Sequence, residues 1–428
     1  MSYDKTSDFK SIQADVLTTD TTDNELISSL KQLKTDNKSV TKAINALNEQ
    51  LGNAQTSASD AVARVVELEA VVTQLQAQLA GGDNGGHETG GNAGDDTGNE
   101  TGGDVHGTAE HVMGMVLAEE GNKSGTWVRV DKDFNTVEFN PEHGTWAGMK
   151  QVQNETYGEF TEIPVTYVKT ETLADGPYAG KNCWWIADGF VDGFHVHPAF
   201  IGQDGQPHNL QIASWIASNK NDVPFSEDKG NASDGYWNNI SYNAMHAKGW
   251  MSGGARPYNI YDHHFLARMM LVEFGTPDVQ SQTVDGMAWT GESRINYHGI
   301  HDPFGTADAC EYCWLDGLTT LNGTYQVLAV DGSLSMIETG ISCPNARIWP
   351  VNCLADQANG IDFGDLFIAN MANSTENSGS FADYQYIPSG NAFFVSWYTY
   401  SHRGAFGLDS HNLTYEWDTL GWRVALCV

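Results

Sequence analysis

Positive charge is scarce in this chain of 428 residues. Lys and Arg number 22 against 55 Asp and Glu, for a formal net charge of −33. A field of that sign repels phosphate, which excludes a generic DNA or RNA binder. No apolar run reaches the ~18 residues needed to cross a bilayer, so no membrane insertion is expected. The start, MSYDKTSDFK, has no basic segment followed by an apolar one. No secretory signal is therefore expected, and synthesis in a reducing compartment follows. GxSxG, HExxH and a phosphate-cradling glycine loop are all missing, so no familiar enzyme signature is present. Tryptophan and proline are missing from the first part of the chain. All 13 Trp lie from Trp127 onward, Pro first appears at Pro141, and the first 108 residues hold one Tyr (Tyr3) and one Phe (Phe9).

That composition boundary divides the chain. From Leu26 an apolar position recurs in alternating steps of four and three through Leu30, Leu33, Asn37, Val40, Ile44, Leu47, Leu51, Ala54, Ala58, Ala61, Val65, Leu68, Val72, Leu75 and Leu79. Only Asn37 breaks the pattern. A 3.5-residue period sustained this long is the signature of a left-handed supercoil. Residues 26–80 are therefore expected to form a parallel coiled-coil stalk, a rod of about 80 Å at ~1.5 Å per residue. Asn37, at an a position, is the residue type that selects register and oligomer state at a cost in stability. Phe9, Ile12 and Val16 continue the phase before a polar break, so 1–25 reads as an N-terminal docking segment.

Residues 81–108 form a flexible linker. The stretch 81–104 contains ten Gly, six acidic residues and no aliphatic side chain larger than Ala. It cannot bury enough surface to fold. The strict GGxGxD spacing of a calcium-binding repeat is absent.

Residues 109–428 are expected to form a globular head. Glycine, Asn, Asp and Pro clusters punctuate short aromatic or β-branched runs, such as NCWWIA (182–187), FFVSWYTY (393–400) and GWRVALCV (421–428). Helical spacing is clearest over 261–276, with Gly275 as its stop. The expected class is α+β: a helical stalk, a Gly-rich linker and a mostly β, loop-rich head.

Several clusters could carry chemistry. Cys310 and Cys313 have CxxC spacing, with Cys343 and Cys353 following; Cys183 and Cys427 complete the six. Zinc binding, disulfides and inert buried thiols are all compatible with that spacing. His195 and His197 would share one face of a strand and could ligate a metal, or could be packed core histidines. His263/His264 and His298/His301 form further pairs. Glu416 and Asp418 flank Trp417 in a glycosidase-like trio. No cofactor is required by any of this, although calcium or zinc is compatible with it. The densest concentration of adaptable contact residues is C-terminal: Trp397, Tyr398, Tyr400, Ser401, His402, Asp409, Ser410, His411, Asn412 and Tyr415. Tyr, Ser, Asn and Asp supply contact area and hydrogen bonds as they do in antibody loops.

The same region carries a family resemblance. Ser401-His402-Arg403-Gly404-Ala405-Phe406, a polar stretch, and then Gly421-Trp422-Arg423-Val424-Ala425 resemble the closing RGG(S)…GFR(x)A pattern of the formylglycine-generating-enzyme branch of the C-type lectin fold. That branch includes the variable ligand-binding proteins of diversity-generating retroelements, many of them phage tail proteins. IPVTYVK, WWIADGF, GFHVHPAFI and the helix ending LVEFGTPDVQSQ also resemble a phage tail-fibre head over roughly 160–285. The resemblance implies a C-type lectin-like head whose 396–418 surface touches ligand. In retroelement systems Asn codons diversify towards Tyr, Ser, Asp and His, a mixture found here. The calcium tripeptides Glu-Pro-Asn, Gln-Pro-Asp and Trp-Asn-Asp are absent, so calcium-dependent sugar binding does not carry over. Cys427 stands alone near the end, so formylglycine chemistry does not carry over either.

The expectation is a non-enzymatic virion-surface adhesin, made in the host cytoplasm and homotrimeric through its stalk. It would join other virion proteins through its N-terminus and attach to a host-surface glycan or protein. Tethered heads gain avidity by about 10²–10⁴ where geometry permits. A structural capsid or collar fibre, and a fibre-borne polysaccharide depolymerase, are the alternatives.

Overall fold

The computed structural model describes residues 109–428 apart from 230–234, 249–250, 252, 280–295, 305–311, 332, 334, 354–356, 359–360, 370–374, 389–391, 398–404, 413 and 417–419. All of the described residues belong to the second of two units of the chain, 100–428. The docking segment, the heptad positions of the stalk and the linker lie outside the described residues. Within them the chain is mostly β-sheet with few helices.

Three sheets surround one buried helix. The first is a five-stranded antiparallel sheet in the order Thr126–Asp131, Val112–Glu119, Asn182–Ala187, Tyr167–Thr172, His195–Val196. Its central strands Val112–Glu119 and Asn182–Ala187 read as almost unbroken apolar runs because both faces are covered. Met115, Leu117, Val168, Trp184 and Ile186 face the main core. Val116, Val130, Cys183 and Trp185 point the other way into a smaller cluster with Leu173. The two-residue strand period thus divides WW between two cores.

Gly114 sits within this sheet, opposite Trp185. A Cβ there would lie 2.6 Å from Trp185 Cε3 and 2.7 Å from Cys183 Sγ. Gly114→Val is expected to cost about 2–3 kcal/mol by overpacking. A guanidinium unfolding midpoint of the full chain equal to wild type would contradict this.

The helix Ile260–Phe274 appears where helical spacing places one. It is buried from Ile260 to Val272 on every side, which explains why its apolar residues form no single stripe. Asn259 opens it with a capping box. Its side chain accepts from Asp262 N at 3.0 Å, and the Asp262 carboxylate accepts from Asn259 N at 2.8 Å. Asp262 also forms a bidentate pair with buried Arg256. Gly275 closes the helix at φ 69°, in the left-handed region. There the Arg129 guanidinium donates to the Val272 and Glu273 carbonyls, the latter at 2.8 Å. A cation at this end is favoured by the helix dipole.

The second sheet runs Ala255–Pro257, Val424–Cys427, Leu210–Ala213, Gly158–Ile163, Val223–Ser226, Ala217–Lys220, with Lys150–Asn154 added beside Gly158–Ile163. The third runs Met336–Ser342, Thr324–Leu328, Tyr312–Leu321, Ala392–Trp397, Asp409–His411. The C-terminal segment joins them. Leu420–Gly421 pairs in parallel with Tyr312–Leu321, and Val424–Cys427 then enters the second sheet. Trp422 and Arg423, at the crossing, are fully buried. Arg423 donates to the carbonyls of Ala213, His301 (2.6 Å) and Asp302 (2.9 Å). Its own carbonyl accepts from Tyr258 N at 2.8 Å. A neutral side chain would leave these buried acceptors short of donors.

Candidate functional site

The described C-terminal candidates Asp409, Ser410, His411, Asn412 and Tyr415 lie on the last strand of the third sheet and in the turn beyond it. Ala392–Trp397 pairs on one side with Tyr312–Leu321 and on the other with Asp409–His411. Its inner residues Phe394 and Val395 are fully buried. Asp409–His411 is the terminal strand of the sheet, in register through Phe393↔His411, Phe394↔Ser410 and Val395↔Asp409. Tyr398, Tyr400, Ser401 and His402 lie outside the described residues, as does the side chain of Trp397.

The chain re-enters the described region at Ala405 and runs buried to Leu408. Phe406 N donates to Asp383 Oδ2 at 3.0 Å, and Phe406 O accepts from Gln385 Nε2 at 3.2 Å. Gln385 also spans Ala369 N and Phe367 O, so it ties three segments with one amide. Leu408 O accepts from Tyr386 N at 2.8 Å. The Phe406 ring packs against Phe367 and Phe381, with centroids 5.0 and 5.3 Å away. Strand pairing before 398 and this clamp after 404 hold both ends of the intervening segment. The hydrogen bonds of the clamp fall on its backbone, so they do not depend on the side chains between.

Beyond the terminal strand, Asn412 Oδ1 accepts from Thr414 N at 3.1 Å and from Thr414 Oγ1 at 2.9 Å, an Asx turn. Tyr415 N then donates to Asn412 O. The turn places the Tyr415 ring flat on His411, with centroids 4.2 Å apart and planes 3° from parallel. Tyr415 also packs against the cluster containing Leu420 and Trp422. Asp409, His411 and Tyr415 are half-buried, Asn412, Thr414 and Glu416 are exposed, and Ser410 is buried. Burial lowers the His411 pKa despite the opposing Asp409 charge. Burial and Asp409 together raise that of Tyr415. A largely neutral, rigid aromatic pair flanked by amide, hydroxyl and carboxylate groups suits contact recognition.

The other sequence candidates disperse. The strand at 195 ends at Val196, so the two histidines do not share a face. His195 Nε2 reaches Asp365 Oδ2 at 2.6 Å, whereas His197 is fully buried and caps Pro198–Phe200 by accepting from Ala199 N. His263 and His264 are buried core residues with ring centroids 5.2 Å apart. His298 pairs with Glu273 at 2.9 Å, and His301 stacks on Trp215 at 3.6 Å. Cys310 is outside the described residues. Cys183, Cys313, Cys343, Cys353 and Cys427 are free thiols. Burial raises their pKa, to about 11 for Cys313 and about 12 for Cys343, which disfavours the thiolate needed for nucleophilic or zinc chemistry. Among the described residues no group of three or more His, Cys, Asp or Glu is placed to hold a metal ion. Trp417 and Asp418 of the carboxylate trio lie outside the described residues.

Asp383 and Gln385 were not among the residues singled out from sequence. Their signal is the alternation in DYQYI (383–387), in which Asp383, Gln385 and Ile387 are buried and the strand itself spans Gln385–Ile387. Compared with models of known protein families the chain matches none, and comparison with characterised proteins finds no relative.

Proposed function

We propose that the chain is a fibre or adhesin of a virion surface. A homotrimeric coiled-coil stalk would present a C-type lectin-like head, and the head attaches to a glycan or protein on the host cell. The observation that carries this reading is the frame around 398–404. Its two ends are held by strand pairing and by the Asp383/Gln385 clamp, next to the His411–Tyr415 stack. A scaffold that fixes the residues flanking a contact-rich segment is the arrangement in which the segment's side chains vary without loss of the fold. The buried positions of Trp422 and Arg423 agree with a core role for the closing Gly-Trp-Arg-Val-Ala motif. The heptads, polar only at Asn37, supply the oligomeric part of the proposal, and attachment to other virion proteins would be through 1–25.

The test is binding of labelled full chain to panels of candidate host cells. His411→Ala with Tyr415→Ala is expected to weaken binding at least tenfold while the head's tryptophan fluorescence stays unchanged. Unaltered cell binding by this variant would remove the surface from consideration. Oligosaccharide release from the cells would favour the depolymerase reading. Attachment of virions that is unchanged after loss of 109–428 would favour a structural fibre.

A further inference from the structure

A cleft of about 370 Å³ opens on the first sheet, lined in part by Glu110, His111, Asp131, Glu138, Asn140 and His143. It belongs to a different sheet from the Asp409–Tyr415 surface. Its two imidazoles are held in place and in tautomeric state. His111 Nδ1 lies 2.9 Å from Asp188 Oδ2, and Asp188 Oδ1 accepts from the backbone N–H groups of Glu110 and His111, each at 3.0 Å. A carboxylate bound in this way takes the Nδ1 proton as a donor, so the nitrogen left for a ligand is Nε2, an acceptor in the neutral ring. Asn140 Oδ1 accepts from Glu142 N at 3.0 Å, which fixes the orientation of its amide. The Asn140 Nδ2 group therefore donates to His143 Nε2 at 3.3 Å. The His143 ring stacks on His111 with centroids 4.6 Å apart.

The charges of the cleft are unbalanced. Lys132 is taken by Asp133 at 2.8 Å, and the Asp131 carboxylate is taken by the N–H groups of its own turn at Asp133 and Asn135. Arg129, which feels the Glu138 charge, spends its hydrogen bonds on the helix carbonyls. Among the described residues, the carboxylates of Glu110 and Glu138 accept no hydrogen bond.

The geometry points to a binding site for an organic cation carrying an ammonium or guanidinium group. Glu110 and Glu138 supply charge, His111 Nε2 accepts a hydrogen bond, and the stacked imidazoles form the wall. The volume lies within the range of small-ligand pockets and far exceeds that of a bare ion. No set of three metal-ligating side chains converges among the described residues. A basic side chain of a protein partner and a free amine present the same group.

The probes are agmatine, which carries both groups, cadaverine, which carries ammonium alone, and N-butylurea as a neutral control. Saturation-transfer NMR and calorimetric titration of the full chain at low salt measure binding. Agmatine is expected to bind and N-butylurea not to. Glu110→Gln with Glu138→Gln is expected to weaken binding at least tenfold, and high salt to abolish it, because exposed charge pairs are screened. Cadaverine binding as tightly as agmatine assigns the site to ammonium, and binding by agmatine alone assigns it to guanidinium. Equal affinity in the double variant, equal binding of N-butylurea, or no binding of either cation overturns the assignment. The His411→Ala/Tyr415→Ala variant must retain agmatine binding. Its loss there would place the site elsewhere and equally overturn the proposal.

Discussion

Lowering the pH from about 7 to about 4.5 is expected to remove about 5 kcal/mol of stability from the head through His197 and His263 alone. Burial holds both rings neutral, with pKa values lowered to about 3. In the unfolded chain the same rings protonate near pH ~6.5. Their folded values are depressed, so their contribution is complete above that pH. It is lost as pH falls from there towards the folded values. His264, also fully buried and next to both His263 and His197, acts in the same direction. The loss is comparable with the whole stability of a typical domain, about 5–15 kcal/mol.

Burial raises the pKa of Asp262 and Asp362, so their protonation favours the folded state as the pH falls, and two further effects oppose the loss. Burial disfavours the charged form of His195, but the hydrogen bond and charge of Asp365 outweigh this and raise its pKa. That contribution is present below pH ~6.5 and is lost as pH rises through the folded value. Protonating surface carboxylates also relieves the self-repulsion of a chain with net charge −33, an effect screened at physiological salt. Asp365 itself, lowered to about 2, adds to the acid loss only below the ordinary carboxylate range. The smaller shifts of His195, Asp262 and Asp362 and a screened surface term do not balance three fully buried imidazoles. All 13 tryptophans lie from Trp127 onward, so tryptophan fluorescence reads head unfolding within the full chain. Guanidinium midpoints should fall steeply once the pH drops below about 6.5, and less steeply in His263→Leu. Midpoints that stay level between pH 7 and pH 5 would refute the expectation.

The second large effect is at Arg268. Arg268 and Asp365 are both fully buried and pair at 2.9 Å. Arg268 also donates to Trp185 O, Thr170 Oγ1 and Gly364 O. It thereby joins the helix to the first sheet and to the short helix Phe363–Asp365. Arg268→Met leaves a buried carboxylate with only His195 beside it, and is expected to cost about 3–5 kcal/mol. Asp365→Leu strands the guanidinium in the same way. Removing both charges together should cost clearly less than the sum, because neither ion is then left uncompensated. A double-mutant cycle followed by the same fluorescence gives the coupling. Additivity within about 0.5 kcal/mol would show that the two do not act as a pair.

Much of the head's local structure is legible along the chain. The helix Ile260–Phe274 was recognisable from the spacing of Phe265, Met269 and Val272 and from Gly275, because those signals act within a turn or two. The strand runs around NCWWIA and FFVSW were recognisable for the same reason. The C-terminal segment stood out by composition; of its described residues His411 and Tyr415 stack, and Ser410 is buried. The frame behind that surface was less accessible. Asp383 and Gln385 read as ordinary polar residues until Phe406, more than twenty residues later in the chain, is folded against them.

The histidines mark the boundary most clearly. Spacing made His195 and His197 equivalent, two rings on one strand face. Their fates differ because the strand ends between them and because the Asp365 carboxylate, 170 residues away, hydrogen-bonds the His195 ring. Arg423 likewise meets the Ala213 carbonyl 210 residues earlier in the chain. Periodicity, caps and turn chemistry are interactions between near neighbours, so residue order alone settles them. A charge partner or a buried acceptor is chosen by which sheet arrives alongside, and in this head only the packing of three sheets around one helix made that choice.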